Sequence, residues 1–117
     1  MNLNELLIRL LGETGLEVEQ DIYEGESEKY IIFTYEDETP ESFADNRVTA
    51  DTAYIQIQLI TPKEFDYFTL KKKIRDLLEG ADFIVKSTRS FLGSVYVGTE
   101  KKRQTIFQVE YTEGRRN

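Results

Sequence analysis

The most informative part of this chain is a pair of alternating segments, Tyr30-Ile-Ile-Phe-Thr-Tyr35 and Tyr54-Ile-Gln-Ile-Gln-Leu59. Successive side chains of a strand point to opposite faces, so both segments predict β-structure. Residues 30–35 are apolar on both faces, which is typical of a strand inside a sheet. The connection formed by residues 36–51 is long for a small domain, and such connections are usually working surfaces or disordered. We therefore look for function in this connection rather than in a catalytic pocket.

Helical and strand patterns surround these two segments. Apolar residues at helical spacing predict a helix over residues 4–13 and a second helix over residues 65–79. Strands are predicted at residues 16–23, 30–35, 53–61, 83–85, 94–97 and 105–111. The element order is α-β-β-β-α-β-β-β. We expect an α+β fold, with a mostly antiparallel sheet and both helices packed on one of its faces.

Length and composition predict one soluble domain. The chain has 117 residues, of which 39% are hydrophobic and 32% charged, enough to form one core. We assign residues 1–112 to a single α+β domain and residues 113–117 to a flexible C-terminal tail that has nothing to bury. Glu5 and Arg9 interrupt the apolar N-terminal stretch, so we predict neither a signal peptide nor a membrane span.

The residue types argue against an enzyme. The chain contains no His, Cys or Trp, so a serine nucleophile has no histidine partner and a thiolate metal site is impossible. Paired carboxylates of the glycosidase kind are conceivable because acids are abundant, but nothing singles out one pair. Glu36-Asp-Glu38 lacks the ligand spacing and central glycine of a calcium loop. We expect no catalytic residue, no cofactor and no metal site.

Opposite charges are concentrated in two places. The connection of residues 36–51 has six acidic residues against the single Arg47, and the second helix contains Lys71-Lys-Lys73 and Arg75. Each run is either a solvated surface or a contact with a partner. Phe43 favours contact in the acidic run, because an aromatic ring needs a core or a neighbour to cover it. A pairing between the acidic run of one subunit and the basic helix of the next would repeat into a ring.

Two further segments have two interpretations each. Lys101-Lys-Arg103 is predicted at an exposed hairpin tip within residues 98–103, where it either protects the sheet edge or contacts another protein. Phe91 and Leu92 are either core residues or a second assembly contact.

The predicted subunit or partner contacts are Glu38, Glu41, Phe43, Asp45, Lys71, Lys72, Arg75, Phe91 and Leu92. Nucleic acid is the weakest partner for the basic run, since the net charge is −7 and no aromatic residue interrupts the run.

Nearly the whole chain resembles the tail terminator or tail completion family of long-tailed bacteriophages. The resemblance rests on the leading amphipathic helix, the strand of residues 30–35, Pro40 with Phe43-Ala-Asp45, the strand of residues 54–59, the helix end Leu77-Leu-Glu-Gly80 and the closing hairpin to Tyr111.

This resemblance implies a structural subunit that closes into a hexameric ring, caps the tail tube and joins the tail to the capsid. The implied partners are other copies of the chain, tail-tube proteins and head-tail connector proteins, with DNA only passing through the ring and no membrane. The implied location is the virion, or the host bacterial cytoplasm during assembly. The alternative is a small acidic binding module, for instance an inhibitor that occupies a nucleic-acid-binding groove on a host protein.

Overall fold

Five strands form one sheet, and two helices lie on one of its faces. The computed structural model describes residues 2–40, 50–97 and 100–114. The helices are α1 (Leu3–Leu11) and α2 (Phe68–Gly80), and a 3-10 helix (Gly12–Thr14) follows α1. The strands are β1 (Glu17–Gln20), β2 (Tyr30–Pro40), β3 (Ala50–Thr61), β4 (Ile84–Val97) and β5 (Glu100–Gly114).

The strand order across the sheet is β1-β2-β3-β5-β4. β1 runs parallel to β2, and the other three neighbouring pairs are antiparallel. The predicted α+β class and mostly antiparallel sheet are therefore confirmed. β1 and β4 are the two edge strands, and the 14-residue β4 is much longer than the four-residue β1.

The core lies between the helices and one face of the sheet. Alternate residues of the three inner strands point into it, as the predicted period of two requires. The sheet contributes Ile31, Phe33, Ala53, Ile55, Ile57, Leu59, Phe107 and Val109, and the helices contribute Leu7, Leu11, Ile74 and Leu78. This helix-covered face buries the apolar area that drives folding, at about 25 cal/mol per Å². The opposite face of the sheet has no helix on it within the described part of the chain.

Local backbone chemistry decides where the helices begin and end. The side chain of Asn2 accepts a hydrogen bond from the backbone N–H of Glu5 at 2.8 Å and caps α1. α2 begins at Phe68, three residues later than predicted, where the carboxylate of Asp66 accepts from the Phe68 N–H at 3.1 Å. α2 includes Gly80 and ends in a left-handed turn at Asp82, whose φ is 71°.

The sheet corrects three strand predictions. The two short strands predicted at residues 83–85 and 94–97 are parts of the single strand β4, so the order is α-β-β-β-α-β-β. The sequence does not reveal β4 as one strand, because polar residues and Gly93 interrupt its alternation of apolar and polar side chains. β4 has register shifts between Val85 and Ser87 and between Leu92 and Tyr96, where irregular pairing breaks the pattern further. β1 covers residues 17–20 rather than residues 16–23.

The connection between β2 and β3 is also shorter than predicted. β2 continues to Pro40 and β3 begins at Ala50, and Pro40 lies in register with Asp51. β5 likewise continues to Gly114, two residues into the predicted tail, and residues 115–117 lie outside the described part of the chain. None of the described helices is long and apolar enough to cross a membrane.

Candidate interaction surfaces

The exposed side of α2 carries the predicted basic residues, but they do not have equivalent surroundings. The ammonium of Lys72 is 3.0 Å from a carboxylate oxygen of Asp76, one helical turn away. The ammonium of Lys71 lies 5.9 Å from the centroid of the Phe68 ring. Arg75 is exposed to solvent. Lys72 is therefore partly neutralised within its own helix, whereas Arg75 presents its charge outward.

A surface depression of about 420 Å³ lies along this helix. The described residues that line it are Thr69, Lys72, Lys73, Asp76 and Leu77. Four of these five side chains are polar, but the surface that they expose to the depression is mostly apolar, because the lysines contribute their aliphatic stems beside Leu77.

Aromatic rings surround the start of α2. Tyr67 and Phe68 stack with ring centroids 4.6 Å apart, and Phe68 remains 64% exposed. The guanidinium carbon of Arg103 lies 4.9 Å from the Tyr67 ring centroid, and the ammonium of Lys29 lies 4.4 Å from that of Phe65. No aromatic residue interrupts the basic run in the sequence, but the structure places the Phe68 ring beside Lys71 of that run. The aromatic and cationic groups together form a surface with the composition of a protein contact.

Phe91 and Leu92 lie on the edge strand β4 and are not core residues. Phe91 is half-buried on the helix-free face of the sheet, with the guanidinium carbon of Arg89 5.4 Å from its ring centroid. Leu92 is 38% exposed and lies in register with Arg103. Phe91 and Leu92 therefore lie on opposite faces of the sheet, and only Leu92, in register with Arg103, is on the face that carries α2.

The acidic half of the predicted contact is largely outside the described residues. Glu38 belongs to β2, where its backbone lies in register with Ala53. Glu41, Phe43 and Asp45 are not among the described residues. Their predicted contact with the basic helix stays a prediction.

A polar cluster missed by the sequence analysis holds the crossover between the parallel strands β1 and β2. The Tyr23 hydroxyl donates to one carboxylate oxygen of Glu17 at 2.9 Å, and the Ser27 hydroxyl donates to the other at 2.9 Å. Tyr23 also stacks on Tyr30 with ring centroids 3.8 Å apart. A Cβ at Gly25 would clash with the Tyr23 hydroxyl oxygen, so this glycine makes room for the cluster.

Lys102 anchors the same crossover from β5. Its ammonium donates to the backbone carbonyl of Glu28 and lies 5.4 Å from the Tyr30 ring centroid. Only 4% of Lys102 is exposed, so its predicted place at an exposed hairpin tip is wrong. β5 begins at Glu100, and alternation then directs Lys102 to the helix-free face, where the crossover covers it.

Burial changes the protonation of two groups in this cluster. Burial lowers the pKa of Lys102, and the nearby Glu28 carboxylate offsets part of that change. Burial also raises the pKa of the Tyr30 phenol above 10.0, and Tyr23 raises it further. Both groups have a structural role. Lys102 joins β5 to the crossover, and the Tyr30 ring packs against Tyr23 and Lys102.

We expect the Tyr30 phenol to ionise at higher pH than an ordinary tyrosine, because burial and the nearby Tyr23 raise its pKa from 10.0. A phenol with a raised pKa contributes stability that is fully present below pH 10.0 and is lost as the pH rises through the folded-state pKa. Titration of the phenolate absorbance should show a late component that Tyr30→Phe removes. Identical high-pH titration curves for both proteins, corrected for the missing phenol, would contradict this assignment.

Within residues 2–40, 50–97 and 100–114, no group of three or more side chains that could hold a metal ion comes together. The described clusters consist of hydrogen bonds, stacked rings and cations over rings, which position surfaces and chain segments.

Comparison with known proteins does not place the chain in a family. No protein-family model matches it, and no curated protein matches it either.

Proposed function

We propose that this chain is a self-assembling structural subunit of the kind found in the tail terminator or tail completion family of long-tailed phages. In this role copies of the chain close into a ring, expected to be hexameric, that caps the tail tube and joins it to the capsid connector. The subunit acts in the host cytoplasm during assembly and then in the virion. The role requires binding surfaces and no catalytic group.

The observation that carries the proposal is the outward-facing basic surface of α2 on a chain whose net charge is −7. Arg75 is exposed there, and Lys71 lies beside the exposed Phe68 ring. A cationic surface on an acidic chain is complementary to the remaining surface of another copy. Contacts of this heterologous kind generate closed rings when the rotation between neighbours closes.

The acidic counterpart we propose is the segment containing Glu38, Glu41 and Asp45, with Phe43 as its apolar anchor. Exposed ion pairs are worth roughly 1 kcal/mol or less each, so they mainly select the partner and its orientation. Phe43 would supply the buried apolar area that exposed ion pairs lack.

The variant Lys71→Glu with Arg75→Glu should weaken self-association by about 1 kcal/mol for each exposed pair that is lost. Sedimentation velocity and native mass spectrometry over a range of concentrations measure this, with and without tail-tube protein. The effect should fade as the salt concentration approaches 1 M, where the screening length is about 3 Å. The fold should be retained, because exposed helix charges contribute little to subunit stability.

A matched control reverses two other exposed lysines, Lys63→Glu with Lys101→Glu, which changes the net charge equally. Adding Glu38→Lys with Glu41→Lys to the helix variant should restore association.

Equal effects of the helix and control variants would show that the basic run is only a solvated surface. A wild-type chain that stays monomeric at all concentrations, also with tail-tube protein, would overturn the ring proposal. If that monomer binds a basic nucleic-acid-binding protein instead, the inhibitor interpretation replaces it.

A further inference from the structure

Both edges of the sheet are open within the described part of the chain. β1 pairs only with β2, and β4 pairs only with β5. An open edge exposes unpaired backbone N–H and C=O groups, which favour pairing with a strand of another chain.

The two edges run in opposite directions. β1 is parallel to β2, while β2 and β5 are both antiparallel to β3. β5 therefore runs in the direction of β1, and β4, antiparallel to β5, runs opposite to it. If the sheet of one copy continued into the sheet of the next, β1 and β4 would meet as an antiparallel pair, the pattern with the stronger hydrogen bonds.

The strand register places opposite charges at the two ends of one row of residues. Glu19 of β1 is in register with Ile32 of β2, which is in register with Gln58 of β3. Gln58 is in register with Ile106 of β5, and Ile106 with Arg89 of β4. Glu19 and Arg89 thus lie on the same helix-free face, one at each edge of the sheet.

The short edge β1 fits inside the regular part of the much longer edge β4. The pairing of β4 is regular only from Ser87 to Leu92, between its two register shifts. With Glu19 opposite Arg89, the four residues of β1 lie opposite residues 88–91, wholly inside this regular stretch. Lys86 already lies 3.8 Å from Glu110, whereas neither Glu19 nor Arg89 forms an ion pair among the described residues.

We propose that β4 of one copy pairs with β1 of the next copy, with Arg89 directly opposite Glu19. This inference rests on the proposed ring function and identifies the backbone contact that joins neighbouring subunits. A pairing of two β4 strands is disfavoured, because Lys86 and Arg89 of both copies would approach each other. It would also yield a two-fold dimer instead of a ring.

Charge reversal at either edge tests the proposal. Glu19→Arg alone places two arginines opposite each other, and Arg89→Glu alone places two glutamates opposite each other. Each single variant should self-associate about tenfold more weakly than the wild type, because like charges directly opposite in a sheet repel. Sedimentation velocity measures the association, and circular dichroism verifies that each variant folds.

An equimolar mixture of the two single variants should regain wild-type association. In an alternating assembly the arginine introduced at position 19 of one variant meets the glutamate introduced at position 89 of the other, and the remaining contact is the native Glu19 with Arg89. A contact between two identical edges involves only one of the two substituted positions, so it cannot give weakening by both single variants followed by this complementation. As a control, the double variant Glu13→Arg with Arg89→Glu reverses an exposed acid outside β1 in the same chain and should stay as weak as Arg89→Glu alone.

Cysteine cross-linking tests the register directly, because the native chain contains no cysteine. A mixture of Glu19→Cys and Arg89→Cys should form a disulfide-linked heterodimer under mild oxidation. A mixture of Glu19→Cys and Ile84→Cys should form far less, since Ile84 is 56% exposed but lies outside the matched stretch.

The outcomes separate this inference from the proposed function. Complementation in the mixture together with the cross-link between positions 19 and 89 supports the edge pairing. Self-association that neither single variant weakens overturns the edge pairing but leaves the ring proposal standing. Absence of self-association in the wild type overturns both.

Discussion

Replacing Phe107 by alanine is expected to lower the free energy of unfolding by about 3–5 kcal/mol. Phe107 is fully buried on the helix-covered face of β5, in register with Ile57 of β3 and Thr88 of β4. The strands on both sides of β5 limit its movement, so the cavity left by the ring cannot collapse completely. Urea denaturation followed by circular dichroism measures the change.

Phe68→Ala is the matched control for this prediction, because it removes the same ring from a site that is 64% exposed. Its loss should be below about 1 kcal/mol, chiefly from the stacking on Tyr67. Equal losses for the two variants would contradict the placement of Phe107 at the centre of the core.

Replacing Lys102 by alanine is expected to cost about 2–3 kcal/mol, a large effect for a lysine. The substitution removes the hydrogen bond to the Glu28 carbonyl and the cation beside the Tyr30 ring. It also removes the aliphatic stem that fills the space under the crossover. Urea denaturation measures the loss, and amide exchange should show faster opening of residues 21–29.

The neighbouring Lys101→Ala is the control, since Lys101 is exposed on the same strand. Its effect should stay within about 0.5 kcal/mol. If Lys102→Ala were as mild as Lys101→Ala, or left exchange in the crossover unchanged, Lys102 would not anchor the crossover.

The elements with strong local periodicity could be predicted from the sequence. The alternation of residues 53–61 predicts β3 and its buried face, and Ala53, Ile55, Ile57 and Leu59 are indeed buried there. The leucines of the first helix likewise predict the buried Leu7 and Leu11. These patterns are readable because each element must bury one face whatever its neighbours are.

Elements at the sheet edge and contacts across the chain could not be predicted in the same way. The sequence predicts two short strands in place of β4, because polar residues and Gly93 weaken the alternation there. It predicts Lys102 at a solvent-exposed tip, because nothing within that segment shows that the crossover covers it. Of the predicted contact residues, Lys71, Lys72, Arg75 and Leu92 are at least partly exposed to solvent. The spacing of four residues between Lys72 and Asp76 on a predicted helix is the signal that could have indicated their pairing.

Local periodicity specifies which segments form helices and inner strands, because it is a property of residues a few positions apart. By contrast, the contact between Lys102 and Glu28, 74 positions apart in the chain, and the placement of Glu19 and Arg89 at the two ends of one row of the sheet arise from tertiary packing. These relations depend on strand order and register. Strand order and register are selected by the packing of the whole core, so no local pattern in the chain encodes them.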